Sequence, residues 1–133
     1  MIRVFLVDDH GIVRDALNYL LSAQGDIQVI GTAVDGQDAV EQVRKDCPDV
    51  IVMDIAMPRL NGLQAAREIC KICPATRIVM LTIYDTREHV EQALNAGAQG
   101  YVLKDAAGKE LVEAVRTLHA GGRYFSKKIS DMM

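Results

Sequence analysis

Five short apolar runs punctuate this chain: IRVFLV (2–7), IQVIGTA (27–33), DVIVM (49–53), RIVMLT (77–82) and GYVL (100–103). Three of them are nearly continuous in Val, Ile, Leu and Met instead of alternating with polar residues. A strand with one wet face alternates, whereas a strand covered on both faces does not, so these runs predict a parallel sheet sandwiched between helices. The intervening segments carry the complementary period of three and four. Ile12, Val13, Ala16, Leu17, Leu20 and Leu21 form one stripe, Ala39, Val40 and Val43 a second, and Leu63, Ala66, Cys70 and Cys73 a third. Val90, Ala93 and Leu94 serve a fourth helix, and Leu111, Ala114, Val115 and Leu118 a fifth. The DTRE segment (85–88) has the spacing of a capping box for the fourth helix, Gly97 stands where that helix should stop, and Gly121–Gly122 end the fifth. Repeated strand–helix units of this length predict a doubly wound α/β fold, (βα)5, with a five-stranded parallel sheet.

Size and composition narrow the classes. At 133 residues the chain suits one domain with a real core, and no repeat or low-complexity tract divides it. A net charge of -3 argues against these residues gripping nucleic acid themselves. No apolar stretch reaches the length of a membrane span, and the N-terminus turns acidic too soon for a secretory signal, which places the expected location in the cytoplasm. Cys47, Cys70 and Cys73 make an odd count that does not predict a disulfide framework. The C-x-x-C at 70–73 lacks a second pair or a suitably placed histidine for zinc, so core packing or helix-end thiols is the expectation.

The polar residues gain meaning from where the strands stop. Asp8 and Asp9 follow the first run, Asp54 the third, Thr82 the fourth and Lys104 the fifth. Parallel strands point the same way, so these residues share one sheet edge. Ligands of such sheets bind at the carboxyl edge where strand order reverses; in the flavodoxin-like order 2-1-3-4-5, that point falls between the first and third strands. Adjacent carboxylates repel, more strongly near low-dielectric protein than in water. A hard cation such as Mg²⁺ would relieve that repulsion, and it takes a few carboxylates together with phosphate oxygens. Lys104 has the wrong sign for a metal ligand and the right one for a phosphoryl oxygen, and Thr82 can donate a hydrogen bond to another. A carboxylate can also act as nucleophile and form an acyl phosphate.

The set DD (8–9), VMDIAMPRLNG (52–62), LT (81–82) and GYVLK (100–104), in register with the strands, resembles the receiver domain of two-component response regulators over essentially the whole chain. The stretch KDAAGKELVEAVRTLHAGGRYFS (104–126) is most similar to regulators with a LuxR-type helix-turn-helix output. The resemblance implies that Asp54 accepts a phosphoryl group from a histidine kinase. It implies Mg²⁺ held by Asp9, Asp54 and the backbone carbonyl of Ala56, with Asp8 in support. Lys104 would pair with the phosphoryl group, Thr82 would be a switch hydroxyl, and Tyr101 the aromatic that turns inward with it. Pro58 and Gly62 match the loop after the acceptor. Receivers take part in their own phosphorylation but are not turnover enzymes. Phosphorylation is expected to promote a homodimer and to control DNA binding through an output domain outside these residues. Residues 1–121 would be the receiver and 122–133 the start of a linker; the alternative is a free-standing receiver acting through protein contacts.

Taken singly, these residues mean less. An acidic residue after a strand is usually a loop residue or a cap, threonine is at home at strand ends, and a strand tyrosine is more often core than switch. His10 is expected to be a loop residue near the start of helix 1 without a catalytic role, His89 and His119 surface residues, and Lys127–Lys128 a solvated tail. Two departures from the family pattern stand out. Asp105 occupies a position where many receivers have proline, and is expected to cap helix 5. Ala56 cannot position a water and Tyr84 could obstruct one, which predicts slow self-dephosphorylation. A metal-dependent phosphatase would want a second aspartate at position 56, and a nucleotide carrier would want a Gly-rich, cationic loop where this chain has DDHG (8–11). A degenerate receiver kept only for dimerisation is disfavoured because every element of the site is present.

Overall fold

The computed structural model describes residues 1–57 and 60–133; Pro58, one of the loop residues expected to matter, lies outside the described residues. The strands are β1 (Ile2–Val7), β2 (Ile27–Ala33), β3 (Val50–Asp54), β4 (Arg77–Thr82), β5 (Gly100–Leu103) and β6 (Tyr124–Phe125). The helices are α1 (Gly11–Ser22), α2 (Gly36–Lys45), α3 (Gly62–Ile72), α4 (Arg87–Asn95), α5 (Ala107–His119) and α6 (Lys127–Met132), with a 3₁₀ turn over Lys104–Ala106. All pairings are parallel, and the sheet order is β2-β1-β3-β4-β5-β6. This is the expected order with one short strand added at the β5 edge.

Strand residues alternate between two apolar layers. Phe5, Val7, Ile51, Met53, Ile78, Met80 and Tyr101 face a core shared with α2, α3 and α4. Val4, Leu6, Val50, Val52, Val79, Leu81 and Val102 join Leu17 and Leu21 of α1 and Leu111, Val115 and Leu118 of α5. Both layers are dry, which is why the central runs read as unbroken apolar sequence. Gly97, at φ +106°, ends α4 as anticipated: its N–H donates to Leu94 O and that of Ala98 to Ala93 O, which satisfies two orphan carbonyls. Gly121, at φ +96°, ends α5 in the same way.

Four expectations need correcting. The N-cap of α4 is Thr86, whose hydroxyl accepts from His89 N–H, so the helix starts one residue later than a cap at Asp85 implied. Asp105 does not cap α5; it lies within the 3₁₀ turn, and the N-cap of α5 is Ala106, without a side-chain bond. Cys47 and Cys73 form a disulfide, leaving Cys70 free. The turn after α2 carries Cys47 to the end of α3, a proximity 26 residues apart in sequence that spacing alone does not reveal. Lys127 and Lys128 are solvated as expected, but they begin α6 instead of lying in a tail, and its Ile129 is fully buried in the layer of α2, α3 and α4. No helix among the described residues is long and apolar enough to cross a membrane.

Candidate functional site

The carboxyl ends of β1 and β3 lie side by side, and this brings Asp8 and Asp54 together at 0% and 2% exposure. Asp9 and His10 follow on the loop into α1. One carboxylate or imidazole atom from each of Asp8, Asp9, His10 and Asp54 lies within 4.8 Å of all the others. Lys104 reaches in from the end of β5, its Nζ 3.2 Å from Asp54 Oδ2 and 3.6 Å from Asp8 Oδ2. The expected acidic set and its lysine therefore converge, and the Lys104–Asp105 peptide bond is trans.

Electrostatically the site is short of positive charge. Burial pushes the Asp54 carboxyl up to about 6; Lys104 pulls it down, and the charge of Asp8 pushes it up again. Burial acts to lower the Lys104 ammonium, yet the charges and hydrogen bonds of Asp54 and Asp8 outweigh it and hold it above its ordinary value. Asp8 Oδ1 accepts from His10 N–H at 2.8 Å, whereas Asp8 Oδ2 is buried without a hydrogen-bond partner. A buried, orphaned carboxylate oxygen is costly. The oxygen-rich, anionic donor set around it fits a hard divalent cation such as Mg²⁺.

Local structure holds each group in place. Gly62 N–H donates to Ile55 O at 2.8 Å, and a Cβ on Gly62 would collide with the carbonyl of Asp54 and with Ile55 Cα. Only glycine lets α3 begin this close to the residue it follows. Asn61 and Gln64 close a reciprocal capping box there. Ala56 N–H donates to Asp54 Oδ1 at 3.3 Å. Thr82 is buried at the end of β4, where its Oγ1 accepts from Tyr84 N–H at 3.1 Å. Tyr101 is fully buried, and its hydroxyl donates to Tyr84 O at 2.6 Å. Burial pushes that phenol up to about 12, which keeps it a donor. The Tyr84 ring stacks on His89, centroids 4.4 Å apart.

Sequence reasoning passed over two neighbours. His10 is the loop residue at the start of α1 that the sequence predicts, and its Nδ1 lies 3.1 Å from Asp9 Oδ1 and 3.3 Å from Asp8 Oδ1, contacts the sequence does not show. Arg14, one turn into α1, donates to Asp8 O at 2.7 Å. Its position four residues after His10 is the only signal the sequence offers, and it is a weak one.

Residues 4–116 match the response regulator receiver domain. The chain belongs to that family. This receiver is 44% identical over 124 residues to the uncharacterized transcriptional regulatory protein YxjL of Bacillus subtilis, covering 93% of this chain and 57% of that protein. It is 39% identical over 133 residues to the response regulator UvrY of Escherichia coli, covering 100% and 61%. The receiver thus spans 57% and 61% of the lengths of these two regulators. Among solved structures, a LuxR-family two-component response regulator from Aurantimonas superposes with a TM-score of 0.93 at 36% identity, covering 97% of this chain and 92% of that one. The signal receiver domain of the putative response regulator NarL from Mycobacterium tuberculosis gives 0.86, also at 36% identity, covering 90% and 97%. The relatives are a transcriptional regulatory protein and a response regulator, and the Aurantimonas regulator is of the LuxR family.

Proposed function

We propose that this receiver accepts a phosphoryl group on Asp54 from the phosphohistidine of a sensor kinase in the cytoplasm and uses it as a signalling switch. The observation that carries this reading is the convergence of Asp54, Asp8 and Lys104, with Asp8 Oδ2 buried and unbonded beside the ammonium. Asp8, Asp9, Asp54 and the Ala56 carbonyl would hold Mg²⁺, which supplies charge neutralisation when bound. The chain's own residues do the rest. Asp54 presents the nucleophilic oxygen from a strand end fixed on both sides by β1 and β4. Lys104 stands ready to pair with the incoming phosphoryl oxygens, and the Thr82 hydroxyl is available to donate to another. Phosphoryl transfer asks mainly for such positioning and neutralisation.

The acyl phosphate adds close to two negative charges at the sheet edge. Thr82, Tyr84 and Tyr101 form a bonded series from that edge to the α4 side of the sheet, so a shift of the Thr82 hydroxyl would alter that face by population shift. The lengths and names of the relatives support a DNA-binding helix-turn-helix output beyond these residues, with homodimerisation on phosphorylation as the step between. Intact mass after incubation with acetyl phosphate tests the chemistry. One phosphoryl gain that requires Mg²⁺ and disappears in Asp54→Asn is expected; a gain that persists in Asp54→Asn would reject Asp54 as the acceptor.

A further inference from the structure

Residues 124–132 make polar contacts with β5 and the residue before it, with the 83–87 stretch that leads into α4, and, through Lys127 N–H to Glu110 Oε2 at 3.4 Å, with α5. Ser126 N–H donates to Tyr101 O at 2.9 Å, and Leu103 N–H donates to Ser126 Oγ at 2.9 Å. Lys128 Nζ lies 2.7 Å from Asp85 Oδ2, and Arg87 donates to Met132 O at 2.9 Å. Tyr101 and Leu103 immediately precede Lys104, and Asp85 and Arg87 lie just past Thr82 and Tyr84. A cavity of about 130 Å³ separates the two sets, lined by Ile83, Asp85, Leu103, Lys104, Asp105 and Lys128.

We propose that residues 124–132 form a strap whose C-terminal half, α6, reads the state of the Asp54 site and loosens when Asp54 is phosphorylated. This rests on the phosphoacceptor reading above. A helix of six residues is far too short to be stable alone, so α6 persists only through its contacts. One fully buried side chain, Ile129, two surface bonds to the 83–87 stretch and the bond from Lys127 N–H to Glu110 Oε2 hold it, which makes it an element with a low-lying loosened state. Thr82 Oγ1 now serves as acceptor for Tyr84 N–H; drawing Thr82 towards a phosphoryl group pulls on that bond and on the 83–87 segment behind it. Asp85 and Arg87 ride on this segment, so its displacement withdraws the anchors of Lys128 and Met132 and leaves Lys127 on Glu110 of α5. The cavity beneath gives Asp85 and Lys128 room to part without crossing packed core. β6 stays paired with β5, because its bonds run to strand backbone that the shift need not disturb.

Hydrogen exchange followed by NMR on the full chain tests this, with Asp54 loaded by acetyl phosphate and Mg²⁺ and the loading verified by mass. The amides of Ile129, Ser130 and Met133, which bond within α6 and to Ser126 O, should exchange at least about fivefold faster in the loaded protein. Linkage requires the converse at equilibrium: Lys128→Ala and Ile129→Ala should each bind the phosphoryl mimic beryllofluoride more tightly, by up to that factor and less for Lys128→Ala. Lys128→Ala removes only a surface contact, so it guards against a folding defect in Ile129→Ala. Unchanged or slower exchange in protein that mass shows to be loaded would overturn the strap while leaving the acceptor reading intact. No loading and no beryllofluoride binding would overturn both.

Discussion

Asp54 sits in a conflict between burial and charge that Lys104 resolves only in part. Its carboxyl titrates at about 6 in the fold, against an ordinary 3.8. A carboxylate whose folded value is raised adds stability below its unfolded value, and that contribution is lost as pH rises through the folded one. Without Mg²⁺, stability should therefore fall between pH 4 and pH 6, and Asp54→Asn should abolish that slope. At pH 7.5 the amide should stabilise the fold by about 1–2 kcal/mol, less than the full linkage value because the Lys104 pairing is lost as well. Urea titrations of both proteins across this pH range measure it, and an Asp54→Asn protein less stable than its parent would contradict the electrostatic account. Millimolar Mg²⁺ should flatten the parent's slope by supplying the missing charge. Two residues on, exposed Ala56 offers the site no side-chain polar group. Ala56→Asn should speed loss of the phosphoryl group roughly tenfold, equivalent to about 1.4 kcal/mol of barrier. The decay of the phosphorylated mass with time checks this, and equal lifetimes would count against a missing water-positioning group.

At the scale of elements, the start of α3 is built against the backbone of Asp54 itself, and Gly62 is where that closeness has no slack. Gly62→Ala would drive a methyl into the Asp54 carbonyl and Ile55 Cα. It should destabilise by about 1–3 kcal/mol and slow phosphoryl uptake, because relief of the clash must move the acceptor. Gly108, in the first turn of α5, has open space around it, so Gly108→Ala should instead be neutral or add up to about 0.5 kcal/mol. Melting curves and uptake rates for the two variants separate a local clash from a general effect of replacing glycine. The elements that sequence made legible are those whose burial is two-sided or periodic: β1, β2, β4 and β5 have the anticipated bounds, and β3 differs by one residue at each end. β6 and α6 were illegible for a physical reason. Tyr124–Phe125 is too short to show a period, and Ile129 is flanked by polar residues, so both elements exist through tertiary contact with β5, α5, the 83–87 segment and the core layer that takes Ile129. The acidic site was legible because each member ends a strand or directly follows one. The contacts of His10 and Arg14 were not, since they depend on how the β1–α1 loop turns.

Over the whole molecule, the Asp54 edge of the sheet and the disulfide are separated along the strands. Asp54 ends β3, whereas Cys47 lies before that strand begins and Cys73 lies just past α3. The bond therefore closes a loop that contains β3, Asp54 and all of α3. Sequence reading treated Cys70–Cys73 as the pair of interest and missed this one, because only the packing of α2 beside α3 brings Cys47 and Cys73 within 5.8 Å at Cα. In the chain-entropy picture, cross-linking residues about 26 apart removes enough freedom from the unfolded chain to stabilise by up to about 3.5 kcal/mol. Reductant should therefore lower the melting temperature of the parent. Cys47→Ser should melt at the reduced value and show no further response to reductant, whereas Cys70→Ser should keep the full response. Intact mass supplies the covalent half of the test: reduction adds two hydrogens to the parent and none to Cys47→Ser. Because the staple is remote from the carboxyl edge, phosphoryl uptake on Asp54 should survive reduction at temperatures where the chain remains folded. Loss of uptake under those conditions would mean that the loop spanning β3 and α3 depends on the bond to hold the acceptor in place.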